Sequence, residues 1–329
     1  MKKWLTIVAA SLVIMLVLTA CGQKPAQQGQ GNSQGDKKGE TVVGYAVMRM
    51  VDEYWGNQIE GMKAAIKESG KPIKLDVADN NNDGQTCLQN VESLLGRGAK
   101  ILIVSTPDPK VGGAIMEKAK AKNVPVIASD VPIEGAYFLN HDDVEAGKIV
   151  GDYAGKYFSE KFKGKKAKVA LITHAAVEQI VGKRIDGFME AFKKYVPDAQ
   201  FLPRMDAEGL REKGLNVMTD ILTSNPDVNV VFAINDDMAL GAAAAVEARG
   251  LADKVAVFGQ GGIGETSFRA LMDPKSPFIA TTAYMPDQHG KTAINKMVIP
   301  LLEGQKIPDL VLSPLELATK ENASKFLKK

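Results

Sequence analysis

Residues 228–242 read VNVVFAINDDMALGA. The first part, Val228–Ile234, is a run of mainly β-branched and aromatic residues, which is typical of a buried strand. Asn235 and Asp236 follow the run at once, and a side chain such as Asp236 in this position commonly caps the next helix. The stretch therefore predicts one strand-and-helix unit of a parallel sheet.

The same alternation recurs from Thr41 to the end of the chain. The predicted strands are Val42–Val47, Ile73–Ala78, Ile101–Ser105, Val126–Ser129, Ala167–Thr173, Val228–Ile234, Val255–Gly259 and Phe278–Tyr284. Segments with apolar residues at intervals of three and four predict surface-packed helices, and these include Asn57–Ser69, Val111–Lys122, Ala146–Phe162 and Gly182–Tyr195. Because a body of about 290 residues with eight or more strand-and-helix units is long for one open sheet, we predict an α/β fold with two lobes and a seam near residues 140–144.

The N-terminal region has the features of an export signal. A basic start and the apolar run Ile7–Leu18 lead to the sequence LTAC at residues 18–21. This pattern predicts a signal peptide over residues 1–20, and the apolar run is too short for a membrane span. The LTAC ending resembles a bacterial lipobox, which makes Cys21 the predicted lipid anchor. Residues 21–40 are mostly Gly, Gln, Lys, Asn and Ser and predict a flexible linker.

Charge and cysteine content exclude several classes of protein. The formal net charge is +2, and the two lysines of the signal account for it, so no polyanionic partner such as a nucleic acid is expected. The chain has two cysteines. Cys87 lies at helical spacing from Leu88, Val91 and Leu94, so we predict a buried free thiol and no disulfide.

The motifs that could indicate a cofactor or a metal are incomplete. Residues 259–264, GQGGIG, fit the dinucleotide pattern, but no acidic residue follows about twenty positions later, so we predict a tight glycine turn. Residues 79–84, DNNNDG, resemble the start of a calcium loop, but Asn90 occupies the position of the required glutamate. The histidines His141 and His289 are far apart in sequence, as is His174, which argues against a zinc site. We therefore expect no catalysis, cofactor or metal.

Polar and aromatic side chains follow the predicted strands. In open α/β sheets the ligand site forms at the carboxyl ends of the strands. The candidate contacts at these ends are Met48, Asp52, Tyr54, Trp55, Asp130, His174, Asn235, Gln260 and Tyr284. Asp83, Ser105 and Asp236 also follow strands, and a helix-capping role is equally compatible with them. Carboxylates, carboxamides and rings together suit a neutral polyhydroxylated ligand.

The mature chain resembles the periplasmic sugar-binding proteins of ABC importers, of the ribose-binding and glucose/galactose-binding type. The resemblance is most specific at residues 213–218 (KGLNVM), 225–242 and 285–288 (MPDQ). It implies a type I periplasmic binding protein with two Rossmann-like lobes, parallel sheets and a three-strand hinge. The implied lobes are residues 41–141 with about 285–313, and residues 142–284 with about 314–329. Closure of the lobes would trap the ligand and signal the permease.

The resemblance also implies roles for individual residues. Asp52 matches a position that binds sugar hydroxyls, and Tyr54 and Trp55 match an aromatic pair that packs on the sugar ring. The matches to polar contacts at later strand ends are Asp130, Asn235 and Gln260, and Tyr284 falls where a carboxamide is common. His174 and Gln179 are candidate replacement contacts.

Three departures from the ribose-binding pattern argue against ribose as the ligand. Those proteins have an arginine where this chain has Val131, and a second one near Val181 or Gly182. They also have an aromatic residue at about Gly209. Loss of two charged hydroxyl binders would cost a ribose several kcal/mol, at about 1.5 to 3 kcal/mol for each hydrogen bond. The space at Gly209 could admit a bulkier ligand, or Leu210 could fill it.

Together these observations predict a monomeric solute-binding lipoprotein, anchored to the outer face of a bacterial cell membrane through Cys21. It would capture a sugar or related polyol and present it to an ABC permease. Two alternatives remain open. One is a receptor that passes a nucleoside or signalling molecule to a sensor. The other is a secreted sugar-acting enzyme with Asp52 and Asp130 as paired carboxylates.

Overall fold

The structure is a computed structural model that describes residues 39–51, 53–262 and 264–327. The predictions for the signal peptide, Cys21 and most of the linker lie outside the described residues, as does the prediction for Asp52. Among the helices that are described, none combines the length and the apolar character that crossing a membrane requires.

The described chain alternates strands and helices almost throughout. The elements of the first half are β1 (Thr41–Val47), α1 (Glu53–Ser69), β2 (Ile73–Asp79), α2 (Gly84–Gly96), β3 (Ile101–Val104), α3 (Gly112–Ala121), β4 (Val126–Ser129), β5 (Tyr137–Asn140) and α4 (Asp143–Lys161). Those of the second half are β6 (Lys168–Thr173), α5 (Glu178–Lys193), β7 (Gln200–Asp206), α6 (Arg211–Ser224), β8 (Val230–Ala233), α7 (Asp236–Ala248), β9 (Ala256–Gly261), α8 (Glu265–Met272), β10 (Phe278–Ala283), α9 (Pro286–Thr292), α10 (Ile299–Leu302), β11 (Leu310–Leu312) and β12 (Glu316–Thr319).

The strands form two six-stranded sheets. The first has the order β11-β5-β4-β3-β1-β2 and is parallel throughout. The second has the order β12-β10-β9-β8-β6-β7 and is parallel except at its edge strand β12. The strand order reverses direction beside β1 in one sheet and beside β6 in the other, as in doubly wound folds. The predicted α/β class with two parallel sheets is confirmed.

Sequence patterns detected eight of the strands, including the edge strand β2, and missed four others. All the predicted strands are present, but β5, β7, β11 and β12 were not expected. The apolar runs of β5 and β11 are only three residues long, and polar residues interrupt β7 and β12. The helices α1, α4 and α5 also begin three or four residues earlier than predicted, because a polar first turn has no apolar periodicity.

The central strands owe their position to burial on both faces. Every residue of β3 and β8 is buried, because helices cover both sides of each sheet. Each fully buried Val, Leu or Ile side chain contributes about 1.5 to 3 kcal/mol relative to an exposed one. Cys87 is fully buried and free, as predicted, and burial raises the pKa of its thiol to about 11.

The chain passes between the two sheets at three places, which we call the crossings. The first joins β5 to α4, the second joins β10 to α9 and the third joins β11 to β12. Met285 in the second crossing has a left-handed backbone with φ of 47°, a conformation that costs about 1 to 3 kcal/mol in a non-glycine residue.

Helices α4 and α5 touch backbone to backbone through glycines. A Cβ atom built on Gly147 would lie 2.0 Å from the carbonyl oxygen of Arg184, and one on Gly187 would lie 2.1 Å from that of Val144. The close approach lets Asp143, at the start of α4, accept a hydrogen bond from Arg184 Nε at 2.8 Å. Glycine is therefore required here by packing.

We predict that Gly187→Ala lowers the free energy of unfolding by at least about 1 to 3 kcal/mol, since the added methyl group overpacks a backbone contact. The control Gly113→Ala lies in α3, where an added Cβ would meet no atom within 4 Å. It should stabilise by about 0.5 to 1 kcal/mol because alanine favours the helix. Urea denaturation measures the free energy of unfolding of both variants. Equal values for Gly187→Ala and Gly113→Ala would contradict the close contact of α4 with α5.

Candidate ligand-binding site

Asp130 is the carboxylate around which the first part of the site is built. It follows β4 in a left-handed conformation with φ of 65°. Its Oδ1 accepts from the Tyr54 hydroxyl at 2.5 Å, and its Oδ2 accepts from Gln58 Nε2 at 3.1 Å and Ser129 Oγ at 2.7 Å. Burial alone would raise the pKa of Asp130, but His289, His141 and the Tyr54 hydroxyl hold the pKa well below its usual value. Asp130 is thus an ionised acceptor whose main partners belong to the protein.

The predicted aromatic pair lies beside this carboxylate. Burial and the proximity of Asp130 raise the pKa of Tyr54 well above its usual value, so its hydroxyl remains a donor. Trp55 packs against Tyr54 edge to face, with ring centroids 4.9 Å apart. Only 7% of Trp55 is exposed, and it belongs to the apolar core of the first sheet. Tyr54 is therefore the more exposed ring of the pair, and Trp55 packs against it.

Asn235, His174 and Gly209 meet at the ends of the second sheet. Asn235 caps α7, since its Oδ1 accepts from the backbone of Met238 at 2.8 Å, and its Nδ2 donates to the carbonyl of Gly209 at 3.0 Å. A Cβ on Gly209 would lie 3.5 Å from both Asn235 Nδ2 and His174 Nδ1. Leu210 is 52% exposed, which argues against the alternative that it fills the space beside Gly209.

A second network joins Gln260 and Tyr284 to two residues that were not predicted. Gln260 is fully buried and donates from Nε2 to the Tyr284 hydroxyl at 2.6 Å. That hydroxyl donates to Asp143 Oδ1 at 3.3 Å. Arg184 pairs with Asp143 and lies 5.0 Å above the Tyr284 ring. The expected arginine near Val181 is indeed absent, but Arg184 brings a guanidinium into the network from the next turn of the helix.

Arg184 and Asp143 gave no usable signal in the sequence. Arg184 lies inside a helix whose polar residues are otherwise solvated, and Asp143 looks like an ordinary first-turn acidic residue. Only the glycine-mediated contact between α4 and α5 reveals that they pair.

Two of the histidines, far apart in sequence, are neighbours in space. His141 stacks between Tyr284 and His289, with ring centroids 4.5 and 4.7 Å apart. His141 Nε2 hydrogen bonds to the carbonyl of Tyr284 at 2.9 Å, and His289 bonds to Ser129 at 3.0 Å and Ser313 at 2.8 Å. Separation along the chain therefore does not keep His141 and His289 apart in the fold.

The histidine pair, together with Asp130, is the group of described residues nearest to a metal-ligand set, with ligand atoms within 4.8 Å of one another. The planes of the two rings differ by only 20°. A ring nitrogen binds a metal in its own ring plane, and stacked rings direct their lone pairs along nearly parallel planes. The stack therefore lacks the convergence that a shared ion requires.

The remaining predicted residues lie outside the two hydrogen-bond networks described above. Met48 is half-buried against the core of the first sheet, and Gln179 is exposed on the first turn of α5. Asp83 caps α2, accepting from the backbone of Thr86 at 2.7 Å. Asp236 is not a cap, because Asn235 takes that role.

Asp236 instead holds the glycine turn. Its Oδ2 accepts from the backbone N–H of Gly262 at 2.7 Å, and its Oδ1 accepts from Thr281 Oγ1 at 2.6 Å. Gly261 and Gly262 have φ of 136° and 53°, as a tight turn requires. Burial raises the pKa of Asp236 to about 6. The glycine motif is therefore a structural turn, as predicted.

A separate pocket of about 390 Å³ lies beside this region, lined by Glu53, Phe268, Pro286 and Phe326 among others. None of the predicted contacts that the structure describes lines it. Several of those contacts instead pair with one another, as Tyr54 does with Asp130 and Gln260 does with Tyr284.

The chain is similar to known solute-binding proteins. Residues 43–306 match the family described as the periplasmic binding protein domain. The ribose import binding protein of Escherichia coli is 35% identical, covering 78% of this chain and 84% of its own length. That of Bacillus subtilis is 28% identical over 98% of this chain and its full length. A solute-binding protein from Actinobacillus succinogenes, solved with bound D-allose, has a TM-score of 0.75 and 25% identity, covering 87% of this chain and its own full length.

The buried His141 makes stability depend on pH. Burial is the main cause, and the nearby His289 the second, of a pKa of His141 that is lowered to about 3. A histidine in the unfolded chain has a pKa of about 6.5. As the pH falls below that value the unfolded chain takes up a proton that the folded chain does not. Between pH 6.5 and pH 5 we therefore predict a loss of about 2 kcal/mol from this residue.

Urea unfolding at a series of pH values measures this loss. The variant His141→Phe keeps a ring in the stack and should show a shallower decline over the same interval. His174→Asn, at a less buried position, controls for removal of a histidine. Identical pH profiles for His141→Phe and the unmodified chain would contradict the prediction.

Proposed function

The chain belongs to the periplasmic binding protein family, and on that premise we propose its ligand, its partner and its attachment. It captures a monosaccharide or related polyol between two closing lobes. It then presents this ligand to the permease of an ABC importer. The family works outside the cytoplasm. The relatives of this chain are binding proteins, and this supports a function without catalysis.

The observation that carries the proposal is the polar and aromatic lining contributed by both sheets. Tyr54 and Asp130 come from the first sheet, and Asn235, Gln260 and Tyr284 come from the second. Together they offer carboxylate and carboxamide oxygens, amide donors and hydroxyls, which match the hydroxyls of a sugar.

The lining also weighs against the enzyme alternative. A catalytic acid must carry a proton that it delivers to the substrate. Asp130 is already engaged by Tyr54, Gln58 and Ser129, and its depressed pKa disfavours the protonated acid. These contacts suit an acceptor that orders the site.

We propose that the lobes are residues 41–141 with about 285–313, and residues 142–284 with about 314–329. The two-sheet topology and the three crossings support this division. The protein acts as a monomer that closes around its ligand. Closure then creates the surface that the permease recognises.

The ligand prediction is tested by thermal unfolding of the full chain, refolded from denaturant to remove bound solute. D-Allose, D-ribose, myo-inositol and adenosine form the panel, because three are sugars or polyols and one is a nucleoside. A ligand at a hundred times its dissociation constant adds about 2.7 kcal/mol, which raises the midpoint by a few degrees. A shift with adenosine alone would favour the nucleoside alternative.

The site prediction is tested with Asn235→Ser, which keeps a capping oxygen for α7 but loses the Nδ2 donor. We expect the affinity for the stabilising sugar to fall about two- to tenfold, since one hydrogen bond contributes about 0.5 to 1.5 kcal/mol. The matched control Asp83→Ser changes the cap of α2 in the same way and should bind normally. Equal affinities in the two variants would remove Asn235 from the site.

The attachment prediction is tested with Cys21→Ser in a bacterial host. The unmodified chain should fractionate with membranes because the acylated cysteine holds it there. Cys21→Ser should appear in the soluble fraction. Cys87→Ala, at the other cysteine of the chain, should remain with the membrane, and release of both variants would contradict the assignment of Cys21.

A further inference from the structure

Gln260 at the end of β9 has an incomplete set of hydrogen bonds. The residue is fully buried, and its Nε2 donates to the Tyr284 hydroxyl at 2.6 Å. Its Oε1 is the one buried side-chain nitrogen or oxygen without a partner in the part of the chain that the structure describes. A buried acceptor without a donor is costly and uncommon. Within a cleft that holds a ligand, it points to a donor that the ligand supplies.

The orientation of the Gln260 amide follows from the network beside it. The Tyr284 hydroxyl has one hydrogen, which it directs to Asp143 Oδ1 at 3.3 Å. Its oxygen is then free only to accept, and the amide group of Gln260 is the donor. The –NH₂ group therefore faces Tyr284, and Oε1 is left on the opposite side. Reversing the amide would place two acceptors together or take the hydrogen away from Asp143.

The network is anchored to the backbone. Arg184 donates from Nε to Asp143 Oδ1 at 2.8 Å and from Nη1 to the carbonyl of Ile234 at 3.1 Å. Burial raises the pKa of Tyr284, so its hydroxyl keeps the proton at neutral pH. Each donor and acceptor in the chain from Arg184 to Gln260 thus has one assigned direction.

We propose that Asp143 and Tyr284 are positioning residues that commit Gln260 Oε1 to accept a hydrogen bond from the ligand. The inference rests on the proposed function and narrows the ligand class. The ligand presents a free hydroxyl that donates at this point. A ligand with hydrogen, fluorine or an ether oxygen at that position leaves Oε1 unpaired, so it is rejected.

The first experiment needs no ligand. In Gln260→Leu the unpaired oxygen is removed at the cost of one hydrogen bond, so the thermal midpoint of the full chain should stay the same or rise. Gln58→Leu is the matched control, because Gln58 is equally buried but has both polar atoms paired, with Tyr45 at 2.9 Å and Asp130 at 3.1 Å. The thermal midpoint of Gln58→Leu should fall by several degrees, because this substitution leaves the partners of Gln58 unpaired. An equal fall in Gln260→Leu would overturn the proposal.

The second experiment uses whichever of D-allose, D-ribose and myo-inositol binds the unmodified chain, with its monodeoxy and deoxyfluoro analogues. At one hydroxyl position both analogues should bind about tenfold more weakly, since neither donates there. In Gln260→Leu this penalty at that position should shrink below threefold. In Tyr284→Phe the amide is free to turn, so the fluoro analogue should regain affinity relative to the deoxy one.

A penalty that is unchanged in Gln260→Leu at every position would overturn the proposal. If none of the three compounds binds the unmodified chain, the proposed sugar function fails. The thermal midpoints of Gln260→Leu and Gln58→Leu then still test whether Gln260 Oε1 is unpaired in the folded chain, because that comparison needs no ligand. Tyr153→Phe, a half-buried tyrosine of the second sheet's core, controls for loss of a hydroxyl and should bind all analogues as the unmodified chain does.

Discussion

The stack of Tyr284, His141 and His289 is the interaction on which the site depends, because it ties the three crossings together. His141 belongs to the first crossing and Tyr284 to the second. His289 reaches Ser313 in the third crossing and, on its other side, Ser129 beside the candidate site. Any rotation of one sheet relative to the other must slide these rings or break these hydrogen bonds. The relative position of the sheets and the arrangement of the site are therefore set by the same groups.

The site that results is polar, buried and almost fully paired. Asp130 holds Tyr54 in place, and Arg184 holds Asp143 in the path of Tyr284. Such networks cost stability unless every member is satisfied. The unpaired oxygen of Gln260 is the exception within the described residues, and exceptions of this kind are found where a protein exchanges stability for function. The arrangement is better suited to retaining a hydroxylated ligand than to transforming one.

Much of this was predictable from sequence, because the central strands are continuous apolar runs and candidate contacts follow them. The order of strands and the site at their carboxyl ends are consequences of parallel-sheet geometry. Three features were not predictable. The edge strand β7 lacks an apolar run, the contact of α4 with α5 depends on glycines that look like any others, and the histidines meet only because the crossings converge. Periodicity identifies an element, but it does not identify the partner of a side chain in another element.

The most direct test of a closing, sugar-binding cleft is a crystal structure of the chain with the sugar or polyol that stabilises it. Electron density for the ligand is expected between Tyr54 and Asp130 on one side and Asn235 and Gln260 on the other. One ligand hydroxyl should lie within about 3.2 Å of Gln260 Oε1. Density in the outer pocket beside Phe268 and Phe326, with none between the two sheets, would contradict the assignment of the cleft.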